Sequence, residues 1–336
     1  MPTKIVFLRP KGAGLFRSQL RSDTLFGALC WSLQTITNGL LKDLLPGYHG
    51  DSAKHQPFFL SSAFPFLEDA QGNRSLFLPH PMEPYRNFES DKKPADAQAA
   101  KQVMRNHKRS EKRQTWISWE AFNTRFAGND SHLPPNVLPK VSTRAVTHNS
   151  IDRRYLGTTV VADSGQLFHT NENYLDWDSG DKSAHWKPGL YFLVQGNFDL
   201  IKPALRFLEH FGIAGDRGTG KGHFQIDWET IELPESPNAN ARLNLSLYHP
   251  TASEAKALDA SSDRLFRYRL VDRQGRHLHQ KEYRQPGYFF FGEGSVFPLI
   301  PELGAFPGKN LIIGNRNSTD DVQRYGRGFM LNIKIQ

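Results

Sequence analysis

The sequence predicts an α+β fold built as two units, each an antiparallel sheet with helices on one face. Three observations carry this expectation. Strand-forming runs recur along the whole chain and outnumber helical ones. They alternate with a few helices twice over, the pattern of layered α+β units. The two series are separated by "LPESPNANA" at 233–241, the most linker-like stretch of the chain. The expected division is therefore 1–233 and 241–336, with insertions near 90–114 and 128–188.

The first unit opens with the strand "TKIVFL". In "SDTLFGALCWSLQTI", Leu25, Leu29, Leu33 and Ile36 fall on one helical face with Phe26 nearby, and Ser22 or Asp23 is placed to cap the helix. "PFFLSSAFPFL" and "SLFLPHPM" read as strands. Residues 90–114 have almost no apolar side chains and carry the basic run Lys101, Arg105, Lys108, Arg109, Lys112 and Arg113, which reads as an exposed helix or mobile insertion. Residues 128–188, with "NDSHLPPNVLP" and "HNSIDRRYLGTT", read as irregular. "GLYFLVQG" is a core strand. In "IKPALRFLEHFG", Ile201, Leu205, Leu208 and Phe211 recur at helical spacing and Gly212 is placed as the C-cap. A strand in "HFQIDWETIEL" closes the unit. Beyond the linker, "RLNLSLYHP" is a strand and "PTASEAKALDA" a short capped helix. "LFRYRLVDRQG", "GYFFFGEGSVFPL", "NLIIGN" and "GFMLNIKI" supply further strands.

Bulk properties narrow the function classes. Hydrophobic residues are only 38% of the 336, but 24 Phe supply enough bulk for a core. No window approaches the roughly 20 apolar residues of a membrane span, and the N-terminus reads as lacking a cleavable signal. A single cysteine, Cys30, excludes an internal disulfide and fits a reducing cytoplasm; within "LFGALCWSL" it reads as a small core residue. The net charge of +8 points to an acidic partner, nucleic acid being the commonest.

From Gly215 the stretch "GDRGTGKG" reads G-x-x-x-x-G-K, one residue short of a phosphate-binding P-loop. The Mg²⁺-binding Ser or Thr that follows the lysine in a P-loop is Gly222 here. The context is also reversed: helix, loop, strand instead of strand, loop, helix. Nucleotide hydrolysis is therefore excluded, yet the loop still suits an anion. Gly215, Gly218, Gly220 and Gly222 permit positive φ and close approach of backbone amides, with Thr219 among them. Arg217 and Lys221 add cations whose sole carboxylate neighbour in sequence is Asp216.

Catalytic and metal signals are poor. The "HLH" of His277–His279 reads as a solvated strand face. Asp176, Asp178 and Asp181 lack the spacing of a calcium loop. Asp320 and Asp321 sit in a polar turn, and no G-x-S-x-G elbow is present. A metal-free RNA-cleaving site needs a histidine as general acid or base, and His148 and His223 qualify on composition alone. Binding signals are better supplied. "RPKGAGLFRSQLRSDT" sets Arg9, Lys11, Arg17 and Arg21 ahead of a helix N-terminus that begins near Ser22, a ready anion site. "HNSIDRRYLG" sets Arg153 and Arg154 beside Tyr155, so that cations for phosphate and a ring for base stacking lie together.

In order along the chain, "LRSDTLFGALCWSL", "FLPHP", "HNSIDRRYLG…GQLF", "FGIAGDRGTGKGHF", "LSLYHPTASE", "FFFGEGSVF" and "VQRYGRGFMLNIKI" resemble the RAMP-superfamily subunit that caps the crRNA 5′ end in Csm (type III-A) CRISPR complexes. The resemblance runs from about residue 3 to the end; the basic insertion near 90–114 and Arg327 after "RYG" depart from the pattern. It implies two ferredoxin-like (RRM-like) folds, with the glycine-rich loop of 212–222 after the second helix of the first. It further implies a non-catalytic scaffold without cofactor. Such a subunit grips the crRNA 5′ handle and docks against the large polymerase/cyclase-type subunit and the backbone RAMP subunit. The expected RNA-binding residues are Arg17, Arg21, Ser22, His148, Arg153, Arg154, Tyr155, Gly215, Arg217, Gly218, Thr219, Gly220, Lys221 and Gly222. The alternative within the superfamily is a metal-independent endoribonuclease that processes precursor crRNA. Its members commonly place a catalytic histidine after the first strand, where Arg9 to Asn38 contains none.

Overall fold

The computed structural model describes residues 2–12, 15–16, 19–37, 56–82, 115–127, 137–152, 154, 157–158, 160–161, 164–165, 167–179, 186–261, 266–274, 286–313 and 322–335. The basic stretch of 90–114 lies outside them. The elements used below are, in chain order, β1 (Thr3–Pro10), α1 (Ser22–Ile36), β2 (Phe58–Leu60), β3 (Phe64–Glu68), β4 (Arg74–Pro79), β5 (Trp116–Ser118) and β6 (Val137–Asn149). There follow β7 (Leu167–Ser179), β8 (Lys187–Gly196), α2 (Phe198–Phe211), β9 (Phe224–Ile231) and β10 (Ala241–Asn244). The last are α3 (Ala252–Ala260), β11 (Leu270–Arg273), β12 (Tyr288–Phe291), β13 (Val296–Pro298) and β14 (Met330–Ile333).

The run "IVFL" is apolar without alternation because both faces of β1 are covered. Val6 and Leu8 pack toward α1 and α2, while Ile5 and Phe7 pack on the opposite side. The main sheet runs β9–β1–β8–β3–β4–β5, with β2 also on β8, and every pairing is antiparallel. On its helical face, Leu25, Phe26, Leu29 and Leu33 of α1 meet Ile201, Ala204, Leu205 and Leu208 of α2. All but Ala204 are apolar positions expected from helical spacing, whereas Ile36 and Phe211, expected on the same faces, lie in the last turns and are exposed, Phe211 stacking on Phe207 instead. On its other face, Phe64, Phe66, Tyr191 and Leu193 share a core with Leu243, Val296, Phe329, Leu331 and Ile333 of a second antiparallel sheet, β13–β10–β14. Phe297 and Met330 turn from that sheet and, with Tyr248, pack on Leu258 of α3. The layers are thus helices, sheet, sheet, helix, with the two sheets sharing one core.

Several local expectations are met. Gly212 is the C-cap of α2, and Thr251 with Glu254 forms a full capping box on α3. Burial pushes the Cys30 thiol up to about 12, as suits a core residue and not a nucleophile. Two expectations are corrected. Neither Ser22 nor Asp23 caps α1: Arg21 stands at the N-cap without a side-chain cap. Ser22 instead spends its hydroxyl on the Leu247 N–H (3.0 Å), and Asp23 pairs with Arg273 (2.9 and 3.0 Å), both from the C-terminal third of the chain. Tertiary partners outcompete the local cap. Nor is 128–188 irregular throughout. It contains the long β6–β7 ribbon, paired in register from Val137–Ser179 to Asn149–Leu167. Among the described residues no helix is long and apolar enough to cross a membrane.

Candidate nucleic-acid interface

The β6–β7 ribbon has thirteen residues per strand, a span of about 40 Å at roughly 3.3 Å per residue. Near its far end His148 stacks on Phe168, with ring centroids 5.2 Å apart and planes 20° apart. The His148 ring nitrogen meets the Thr170 hydroxyl at 2.8 Å. Phe168, Leu167 and Ile151 are large apolar residues left exposed there. Arg154 lies beyond them at 80% side-chain exposure, paired with Asp152 at 2.9 Å. Arg153 and Tyr155 lie outside the described residues.

The glycine-rich loop follows α2, so the order helix, loop, strand is as the sequence implies. Its neck is closed by the Ile213 N–H donating to the Gly222 carbonyl at 2.8 Å. Arg217–Thr219 form one 3-10 turn, stabilised by N–H bonds from Thr219 to Asp216 and from Gly220 to Arg217. The Thr219 hydroxyl also donates to the Asp216 carbonyl at 2.8 Å. Gly215, Gly218, Thr219 and Gly220 form the exposed rim. Positive φ falls on Gly212, Ala214, Asp216, Gly220 and Gly222, so of the four glycines that permit it Gly215 and Gly218 do not use it. The turn is carried by Asp216 in the left-handed region, where a short polar side chain is tolerated. The Arg217 guanidinium lies 4.3 Å over the Trp31 ring, a cation–π contact that leaves its N–H edges available for further donation.

Lys221 departs most from expectation. Its ammonium is 2.7 Å from Glu172 of β7 and 3.5 Å from Asp216, with side-chain exposures of 9% for Lys221 and 6% for Glu172. The reading that Asp216 is its sole carboxylate neighbour is therefore corrected. Glu172 also accepts from Arg144, its direct cross-strand partner, at 3.2 and 3.3 Å. The hydrogen bond from Lys221, with further help from Arg144, holds the Glu172 carboxyl below its ordinary range against the opposing effect of burial. The bond to Glu172 raises Lys221 in turn. Lys221 and Gly222 are buried behind the loop rim.

The basic stretch after β1 reaches the same place. Leu15 and Phe16 pair with Tyr174 and Asn173 of β7, immediately after Glu172. Lys11 donates its backbone N–H to His223, which itself contacts the Arg217 carbonyl at 3.1 Å. Arg9 is engaged with Glu68 and Asp227. Arg17 lies outside the described residues. Arg21 is half-buried and faces Glu293 at 3.1 Å. Ser22 is fully buried with its N–H bonded to Ser62 and its hydroxyl to Leu247, so it drops out of the surface set.

The structure thus gathers the post-β1 stretch, the glycine-rich loop and the ribbon around residues 172–174. Sequence reasoning missed Glu172, Arg144, Phe168 and Trp31. A charged side chain or a ring gives no signal as a site residue until its partner is known. Among the described residues no group of His, Cys, Asp or Glu is disposed to hold a metal. His277–His279, Asp181, Asp320 and Asp321 lie outside them.

No family model matches the chain. It is 24% identical over 336 residues to the "CRISPR system Cms protein Csm4" of Thermococcus onnurineus (strain NA1), covering 98% of this chain and 96% of that protein. A chain of the Csm1–Csm4 cassette crystallised with cA4 superposes with a TM-score of 0.55 at 20% identity, covering 100% of this chain and 99% of that one. A chain of the Csm3–Csm4 subcomplex of the type III-A interference complex gives 0.53 at 15%, covering 98% and 99%. Csm4 is thus what this chain resembles from end to end in sequence and in fold, and the Csm-type RAMP resemblance read from its motifs is the one the comparisons return.

Proposed function

We propose that this chain is a non-catalytic scaffold subunit of a type III-A CRISPR interference complex, and that it grips the 5′ handle of crRNA. The observation that carries this reading is the convergence of three separate stretches on residues 172–174 of the ribbon. Each was singled out by chemistry suited to a polyanion. The loop rim offers backbone and Arg217 to phosphate, while the ribbon end offers His148, Phe168 and Arg154 to bases and backbone. Arg153 and Tyr155 belong to the same end by sequence. Docking against the large polymerase/cyclase-type subunit and the backbone RAMP subunit is supported by the solved Csm1–Csm4 and Csm3–Csm4 pairs. A cytoplasmic location goes with this role.

Two ferredoxin-like units, 1–233 and 241–336, are part of the same reading. In the first, β1, α1, β3, β8, α2 and β9 follow one another, and the strands lie in the order β9–β1–β8–β3. In the second, β14–β10–β13 continues to the segment at Arg267 through its bridge to Val296, which repeats that order.

Arg217→Ala tests the loop. Retention of guide RNA by the assembled complex should weaken alike for all handle sequences. The slope of log affinity against log salt should fall by about 0.7, the value for one phosphate of a single strand. Unchanged retention and slope would make the loop a connector only. The catalytic alternative is tested by incubating the purified chain with labelled repeat RNA in EDTA. The RNA is expected to remain intact; site-specific cleavage would show a metal-independent endoribonuclease.

A further inference from the structure

We propose that Glu172 is a positioning residue that locks the ribbon to the glycine-rich loop, so that both surfaces meet RNA as one frame. The functional half of this proposal rests on the RNA-binding reading above. Among the described residues of the ribbon, Glu172 is the sole buried charged side chain. Its neighbours on both strands are polar and largely half-buried or exposed, as a two-stranded arm standing in solvent requires. Beyond its packed base such an arm has little of its own to hold it in one direction, since an isolated ribbon is only marginally stable.

At the base of the arm Val141 and Leu175 pack on the helical core and Trp177 on Leu67 and Phe77; beyond that base the polar anchoring contacts sit at one level. Glu172 takes Arg144 from the opposite strand and Lys221 from the loop, and Lys221 also meets Asp216 at 3.5 Å. One residue further, Asn173 and Tyr174 pair with Phe16 and Leu15. Two carboxylates and two cations balance to zero within this cluster. A phosphate approaching Lys221 would therefore meet Glu172 and Asp216 first. Lys221 is matched to Glu172, and the cation set toward the loop rim is Arg217. Removing one member of a buried ion pair leaves the other charge uncompensated, whereas removing both charges together is far better tolerated. The pair thus works as a latch whose two halves come from different units of the binding surface.

The experiment compares Glu172→Gln, Lys221→Met and the double variant, each checked for unchanged secondary structure. In the full-length chain, amide hydrogen exchange should accelerate at least about tenfold in both 213–222 and 167–175 in each single variant. The double variant should be no worse than the weaker single. In the assembled complex, guide affinity should fall several-fold in both single variants with the salt slope unchanged, because neither residue neutralises a phosphate. A slope reduced by about 0.7 in Lys221→Met would show Lys221 on a phosphate and overturn the proposal. Unchanged exchange in the loop on Glu172→Gln would overturn it equally. If the wild-type complex does not hold guide RNA through this chain, the RNA reading fails on its own. The exchange data then still decide whether the latch exists.

Discussion

A Gly222→Ala variant is expected to lose roughly 3 kcal/mol or more of stability and to leave the assembled complex unable to retain guide RNA. Gly222 has φ +68, where an L side chain is strained. Its missing side chain also matters sterically, because an added Cβ would fall well inside contact distance of the Ile213 carbonyl oxygen. That backbone is the neck of the loop, closed by the Ile213 N–H to the Gly222 carbonyl. It cannot yield without opening the loop and drawing Lys221 away from Glu172. Gly220→Ala is the matched control. Gly220 has φ +83 but open space around it, so alanine there adds backbone strain of about 1 kcal/mol and nothing more. Denaturant midpoints and guide retention for the two variants decide the matter. Equal, small losses would mean the neck relaxes freely and the loop's shape is not set by Gly222.

Removing the carboxylate of Glu293 should cost about 3 kcal/mol, the scale for a buried pair that loses one partner. Glu293 lies between β12 and β13 and is 6% exposed. It accepts from the Ser62 hydroxyl at 2.6 Å and from Arg21 at 3.1 Å, with Arg269 at 3.8 Å. Ser62 in turn accepts the first N–H of α1, from Ser22. In Glu293→Ala the Ser62 hydroxyl loses its acceptor and the Arg21 guanidinium its carboxylate partner at once, leaving Arg21 the neutral Gln19 oxygen. Glu293→Gln, which keeps an acceptor oxygen for Ser62, should lose less. Chemical denaturation of both variants measures this, and a loss below about 1 kcal/mol in Glu293→Ala would show that water replaces the carboxylate.

Tyr325 explains why the C-terminal Tyr-Gly element was legible as a motif but not as a contact. Its ring is fully buried against Phe26 of α1, 5.0 Å between centroids, and its hydroxyl accepts the Leu60 N–H at 3.0 Å. A residue near the C-terminal end thus plugs the core formed with α1 and α2. Nothing near residue 325 announces a partner so distant in sequence.

What the sequence determined by itself is what local periodicity encodes. The buried faces of α1 and α2, the doubly covered strands β1 and β8, the cap at Gly212 and the helix–loop–strand order that excludes a P-loop follow from spacing, since each element carries its own apolar pattern. Tertiary structure alone decided the rest. Beyond its base, where Val141, Leu175 and Trp177 pack on the body, the β6–β7 ribbon is largely solvated, so no sustained alternation of apolar and polar residues marks it, and its thirteen-residue register and its pairing with Leu15–Phe16 define it. The partners of Lys221, Ser22 and Arg21 are likewise set by which segments meet in space. A charge or a hydroxyl reads the same in sequence whether it faces water, a phosphate or a buried carboxylate, and only packing removes the water that would make those cases equivalent.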